Sequence, residues 1–81
     1  MTDAIPDPRS YYNKGQVYWD AKNWVMAIGE LIKAIQADPN LTDAYWDRAY
    51  SYSKLDQLED SLDDYTKVIQ LHSDDALAYY Q

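Results

Sequence analysis

Tyr11–Tyr18 reads YYNKGQVY, and a shift of 34 residues lays it on Tyr45–Tyr52, which reads YWDRAYSY. Tyr11 falls on Tyr45 and Tyr18 on Tyr52, while Tyr12 falls on Trp46, Lys14 on Arg48 and Gly15 on Ala49. Size and charge class survive where identity does not. Further out, the same shift sets Ala27 on Ser61, Glu30 on Asp64, Lys33 on Lys67, Ile35 on Ile69 and Gln36 on Gln70. A register of this length marks a stacked helical repeat rather than a single globular core. Ala44 and Tyr45 fall in turn on Ala78 and Tyr79. The expected layout is therefore a disordered lead-in over 1–7, repeat one over 8–41, repeat two over 42–75, and over 76–81 the truncated start of a third repeat or a capping stub.

Within each unit the apolar spacing is helical. Tyr11, Gly15 and Tyr18 recur at four and three residues, and after the polar break Asp20–Asn23 the stripe resumes with Trp24, Ile28, Leu31 and Ile35. A helical hairpin is the simplest reading. Asp7 before Pro8 supplies a cap oxygen and a first-turn proline. Gly15, Ala27 and Ala34 leave room for two helix backbones to approach. The stretch from Asp38 to Asp43, with Pro39 inside it, ends one unit and opens the next with polar caps. Repeat two follows the same plan with Tyr45, Ala49 and Tyr52, then Leu58, Leu62, Tyr65 and Ile69. His72–Asp75 forms the next connector. Ser73 stands there in place of a proline, so two courses are open: a turn capped by Ser73, or a last helix that merges with the segment beyond it.

Composition narrows the function. The 81 residues carry 14 acidic and 7 basic side chains, a net charge of −7 that repels phosphate backbones and favours cationic partners, so nucleic acid is not an expected ligand. With no cysteine, disulfides, thiolate metal sites and cysteine catalysis are excluded. No apolar run approaches the roughly 18 residues of a membrane span, and Met1–Asp7 lacks the pattern of a secretory signal. A cytoplasmic location with no membrane partner is the expectation. Nine Tyr, three Trp and no Phe mean that every ring carries a polar handle, a bias that fits half-buried contact surfaces.

With both units laid out, the chain resembles the tetratricopeptide repeat family. The family's large-small-large signature is carried in repeat one by Tyr11, Gly15 and Tyr18, followed by Ala27, Leu31, Ala34 and Pro39. In repeat two it is carried by Tyr45, Ala49, Tyr52, Ser61, Tyr65, Val68 and Ser73. Lys14 and Arg48 depart from the leucine often found there, and Ser73 from the closing proline. The resemblance implies an all-α fold: helix-turn-helix repeats stacked as a short right-handed α-solenoid, two full repeats plus the start of a third. The first helix of each pair would line a concave groove for a peptide or partner helix. It also implies where a chaperone-tail clamp would sit, and the Lys, Arg and Asn of that clamp are replaced by Tyr12, Gln16, Asp47, Leu77 and Gln81. Carboxylate tails of chaperones are disfavoured as ligands.

The expected groove stripe contains Tyr12, Asn13, Gln16, Trp19 and Asp20 in the first helix, and Asp43, Trp46, Asp47 and Tyr50 in the third. Rigid rings dominate binding hot spots, and the aspartates would select Lys or Arg on a basic or aromatic-seeking protein or peptide. Ordinary packing between first helices competes with that reading, with Tyr12 and Trp46 expected to touch across the repeat boundary. The competing functional reading is structural. Leu62, Tyr65 and Ile69, with Leu77 and Tyr80, would form a self-association surface at the uncovered end of repeat two, giving a homodimer or a fragment of a longer array.

No enzymatic role, cofactor or metal is expected. His72 lacks a catalytic constellation, and the acidic run Glu59, Asp60, Asp63, Asp64 is helical. Asp38, Asn40 and Thr42 lack the glycine and the terminal glutamate of a calcium loop.

Overall fold

The computed structural model describes the backbone of residues 7–80 and the side chains of residues 7–73. Four helices follow one another: α1 Pro8–Asp20, α2 Trp24–Ala37, α3 Thr42–Lys54 and α4 Leu58–Tyr80. The fold is all-α, two helical hairpins stacked as a short α-solenoid, as the repeat register implies.

Local chemistry places most of the boundaries. Asp7 accepts the Arg9 N–H at 3.0 Å with Pro8 in the first turn of α1, and Asn23 accepts the Met26 N–H at 3.4 Å to open α2. Both short turns leave the helix through a left-handed residue, Lys22 at φ 61° and Asp56 at φ 59°. At the first turn Asn23 N–H reaches Tyr18 O and Lys22 N–H reaches Trp19 O, both at 2.9 Å. At the second, Gln57 N–H reaches Tyr52 O at 2.9 Å and Asp56 N–H reaches Ser53 O at 3.2 Å. These are two copies of one Schellman closure, which satisfies carbonyls at the helix end.

The structure departs from the expected boundaries at two places. The N-cap position of α3 is Leu41, which has no oxygen to offer, so the polar cap expected there is missing. Asp38 organises that connector instead, its side chain accepting the Asn40 N–H at 3.0 Å. The connector expected at His72–Asp75 lies inside α4, which runs unbroken to Tyr80. Ser73 keeps the N–H that a proline would remove, so nothing stops the i to i−4 ladder. Of the two courses open at Ser73, the chain takes the merged one.

Packing follows the repeat. A Cβ on Gly15 would stand 3.0 Å from Leu31 Cδ2, so α1 and α2 touch where the side chain is missing. Leu31 is fully buried with Ala27, Ala34 and Ala44, a cluster that joins α2 to α3 and so spans the boundary between repeats. Burial of one leucine of this kind contributes about 2 kcal/mol. Between α3 and α4, Ser61 stands where repeat one has Ala27, and its buried hydroxyl donates to Ala49 O at 2.8 Å. The Arg48 departure from leucine is also accounted for. Its Nε and Nη2 donate to both oxygens of Asp64 at 2.7 and 2.6 Å, and Asp64 itself is buried. A charge at that depth is tolerated because the fork satisfies both oxygens, and the pairing keeps the guanidinium protonated above its ordinary range.

Candidate interaction surface

α1 and α3 lie side by side and bring the expected groove residues into three groups. In the first, the Tyr12 hydroxyl donates to Asp47 Oδ2 at 2.8 Å, Gln16 Nε2 donates to the same oxygen, and Gln16 also donates to Tyr12 Oη at 3.2 Å. Asp47 is thereby only 8% exposed, so it is not the open groove charge expected of it. Burial pushes its carboxyl above the usual carboxylate range, and the charges of Asp43 and Asp20 push the same way. The bonds from Tyr12 and Gln16 pull against them. Burial and the Asp47 bond likewise raise Tyr12, which stays a hydrogen-bond donor.

The second group is aromatic. Trp19 and Tyr50 meet at 5.3 Å between ring centroids, and Trp24 of α2 closes the triangle at 5.9 Å from Trp19 and 5.6 Å from Tyr50. Lys54 Nζ sits 5.1 Å from the Tyr50 centroid, within cation–π range. Trp19 and Tyr50 are thus half-buried packing between repeats. Trp24 was read only as part of the α2 stripe, and its signal was the bulk of a tryptophan at the start of that stripe.

In the third group Trp46 packs edge-on against Tyr65 of α4 at 5.2 Å and 73°. Tyr12 is thus bonded across the repeat boundary to Asp47, while Trp46 is paired with Tyr65 inside repeat two. Trp46 remains 54% exposed, and Asn13 and Asp20 on α1 and Asp43 on α3 are exposed as well. On α4, Leu62 and Ile69 are exposed and Tyr65 is half-buried, while Leu77 and Tyr80 lie outside the described side chains. His72 is exposed on α4, and among the described residues no three His, Cys, Asp or Glu side chains gather as a metal site. No helix among the described residues is long and apolar enough to cross a membrane.

A family model described as the tetratricopeptide repeat matches residues 8–41 and again 42–75. The chain belongs to the tetratricopeptide repeat family, whose repeats generally mediate protein–protein interaction. Among curated proteins it is 32% identical over 75 residues to sperm-associated antigen 1 of Mus musculus, an overlap that is 93% of this chain and 8% of that protein. To the protein of the same name from Rattus norvegicus it is 29% identical, with the same coverage. The chain thus spans less than a tenth of the length of these relatives. No solved structure matches it.

Proposed function

We propose that the chain is a non-enzymatic interaction module that binds a basic peptide or partner helix along the face shared by α1 and α3. The observation that carries this reading is the exposure of Asp20 on α1 and Asp43 on α3, the two helices that the Tyr12–Asp47 bond holds together, on a chain of net charge −7. Both charges also act on the Asp47 carboxyl. An exposed cationic side chain arriving there relieves repulsion among three carboxyl groups. Trp46 offers an open ring for the stem of that side chain or for an aromatic, and Asn13 offers an amide to the ligand backbone. The Tyr12–Gln16–Asp47 and Trp19–Trp24–Tyr50 groups hold the two helices in register and so shape the face without themselves being open. The same negative field disfavours an acidic tail.

The test is a tryptophan-fluorescence titration with a lysine-rich peptide and its glutamate-substituted counterpart. The lysine-rich peptide is expected to bind and to weaken with added salt. Asp20→Asn with Asp43→Asn should lower its affinity about fivefold or more at low salt, on the scale of two exposed charge pairs. Equal binding of both peptides, or no effect of the double substitution, overturns the assignment.

A further inference from the structure

The two ends of the molecule carry the two halves of one interface. Inside the chain, repeat one receives α3 on a surface made by Tyr12, Trp24, Ile28, Leu31 and Ile35, where Leu31 is fully buried and Ile28 is 9% exposed. The repeat register converts those residues into Trp46, Leu58, Leu62, Tyr65 and Ile69. In repeat two this same surface is open: Leu58, Leu62 and Ile69 are 67%, 66% and 64% exposed. The inserting half is duplicated as well. α3 buries Ala44, Asp47 and Ser51, at spacings of three and four that share one helical face. Their counterparts on α1 are Ser10, Asn13 and Val17, all three exposed.

We infer that a second copy of this chain docks its α1 onto the α3–α4 end of the first, continuing the stack head to tail. Hydrogen-bond polarity survives the exchange. Across the internal boundary the Tyr12 hydroxyl donates to the Asp47 carboxylate. Across the proposed one the Trp46 indole N–H replaces the hydroxyl as donor, and the Asn13 amide oxygen replaces the carboxylate as acceptor. No charge is added to the contact, since Asn13 is neutral where Asp47 is acidic. Bulk is exchanged in a compensating sense too, because Leu58 is smaller than Trp24 while Val17 is larger than Ser51. Arg48 takes both oxygens of Asp64, whereas Glu30, the counterpart of Asp64 in repeat one, pairs with Lys33 through Oε2 at 3.4 Å and keeps its other oxygen enclosed with no hydrogen-bond partner among the described residues. Glu30 lines a hollow with Lys14, Val17 and Tyr18, and Val17 belongs to the face the incoming copy would bring.

Such an interface is heterologous, so it grows into an open series instead of closing as a dimer. The substitutions Val17→Arg and Leu62→Arg each block one half at an exposed position and leave Asp20 and Asp43 in place, so the mass of these variants tests this contact while the peptide titration with Asp20→Asn and Asp43→Asn tests the groove. Light scattering over a wide concentration range should give the wild type a mass that climbs past two chains, and each variant alone the 9.5 kDa of one chain. Mixed one to one, the two variants retain one good half each and should form a complex of two chains and no more. Far-UV circular dichroism confirms that each variant is folded. A wild type of single-chain mass at every concentration overturns the inference. So does loss of association in Leu62→Arg but not in Val17→Arg, the mark of a face-to-face dimer, and so does a mixture that stays monomeric.

Discussion

Gly15 and Gly29 sit in neighbouring helices and have opposite reasons for being glycine. A methyl group on Gly15 would press on buried Leu31 at 3.0 and 3.1 Å, whereas one on Gly29 meets nothing within 4 Å. Gly15→Ala is expected to destabilise by about 1–2 kcal/mol, overpacking outweighing the gain in helix propensity. Gly29→Ala should stabilise by about 0.5–1 kcal/mol. Urea unfolding of both variants checks the contrast. Asp47 provides a test in pH. Its pKa is raised in the folded chain, so the stability tied to its proton is fully present below about pH 4 and is lost as pH rises through the folded pKa. Asp47→Asn has no such proton but keeps an acceptor for Tyr12 and Gln16. Its stability relative to wild type should therefore improve from pH 4 to pH 7, and thermal melts at the two pH values measure the change. The role of Gly15 was legible from the spacing of small residues. The enclosure of Asp47 was not, because its two donors lie 35 and 31 residues away.

Among the elements, the short turns repeat most faithfully. Lys22 and Asp56 stand 34 residues apart at nearly the same positive φ, and each side chain is exposed. A left-handed conformation costs a side-chain-bearing residue about 1–2 kcal/mol, part of which glycine gives back through its larger unfolded entropy. Lys22→Gly and Asp56→Gly should each stabilise by about 0.5–1 kcal/mol, and the double variant should sum the two because the turns share no partner. Denaturant midpoints of the three variants decide this. The helix start at Pro8 followed from Asp7, whereas Asn23, read only as the end of a polar break, is the cap of α2; both caps are local chemistry. The start of α3 behind Leu41 and the run of α4 through Ser73 depend on what surrounds them. A polar residue near a boundary only permits a cap, and a missing proline only permits a helix to continue.

At the scale of the whole molecule each helix packs on its neighbours in the chain, so the boundary between repeats holds the stack together. Leu31 lies at that boundary and Leu62 at the open end, although both are leucines in second helices. Leu31→Ala is expected to cost about 3–4 kcal/mol, a large share of the stability of a domain this small, and to unfold both repeats in one transition. Leu62→Ala should change stability by no more than about 0.5 kcal/mol. Calorimetry on the two variants separates the cases. The sequence by itself determined the period, the helical hairpins, the small residues where backbones meet and the acidic, tyrosine-rich character of the surface. All of these are read within one repeat or between residues 34 apart. The uncovered end of repeat two was also an expectation of the sequence; only the tertiary structure decided how the first-helix residues divide, with Asp47 enclosed by donors from α1 and its counterpart Asn13 exposed. Stacking buries the far face of repeat one and leaves the same face of repeat two open, so identical positions become core in one unit and surface in the other.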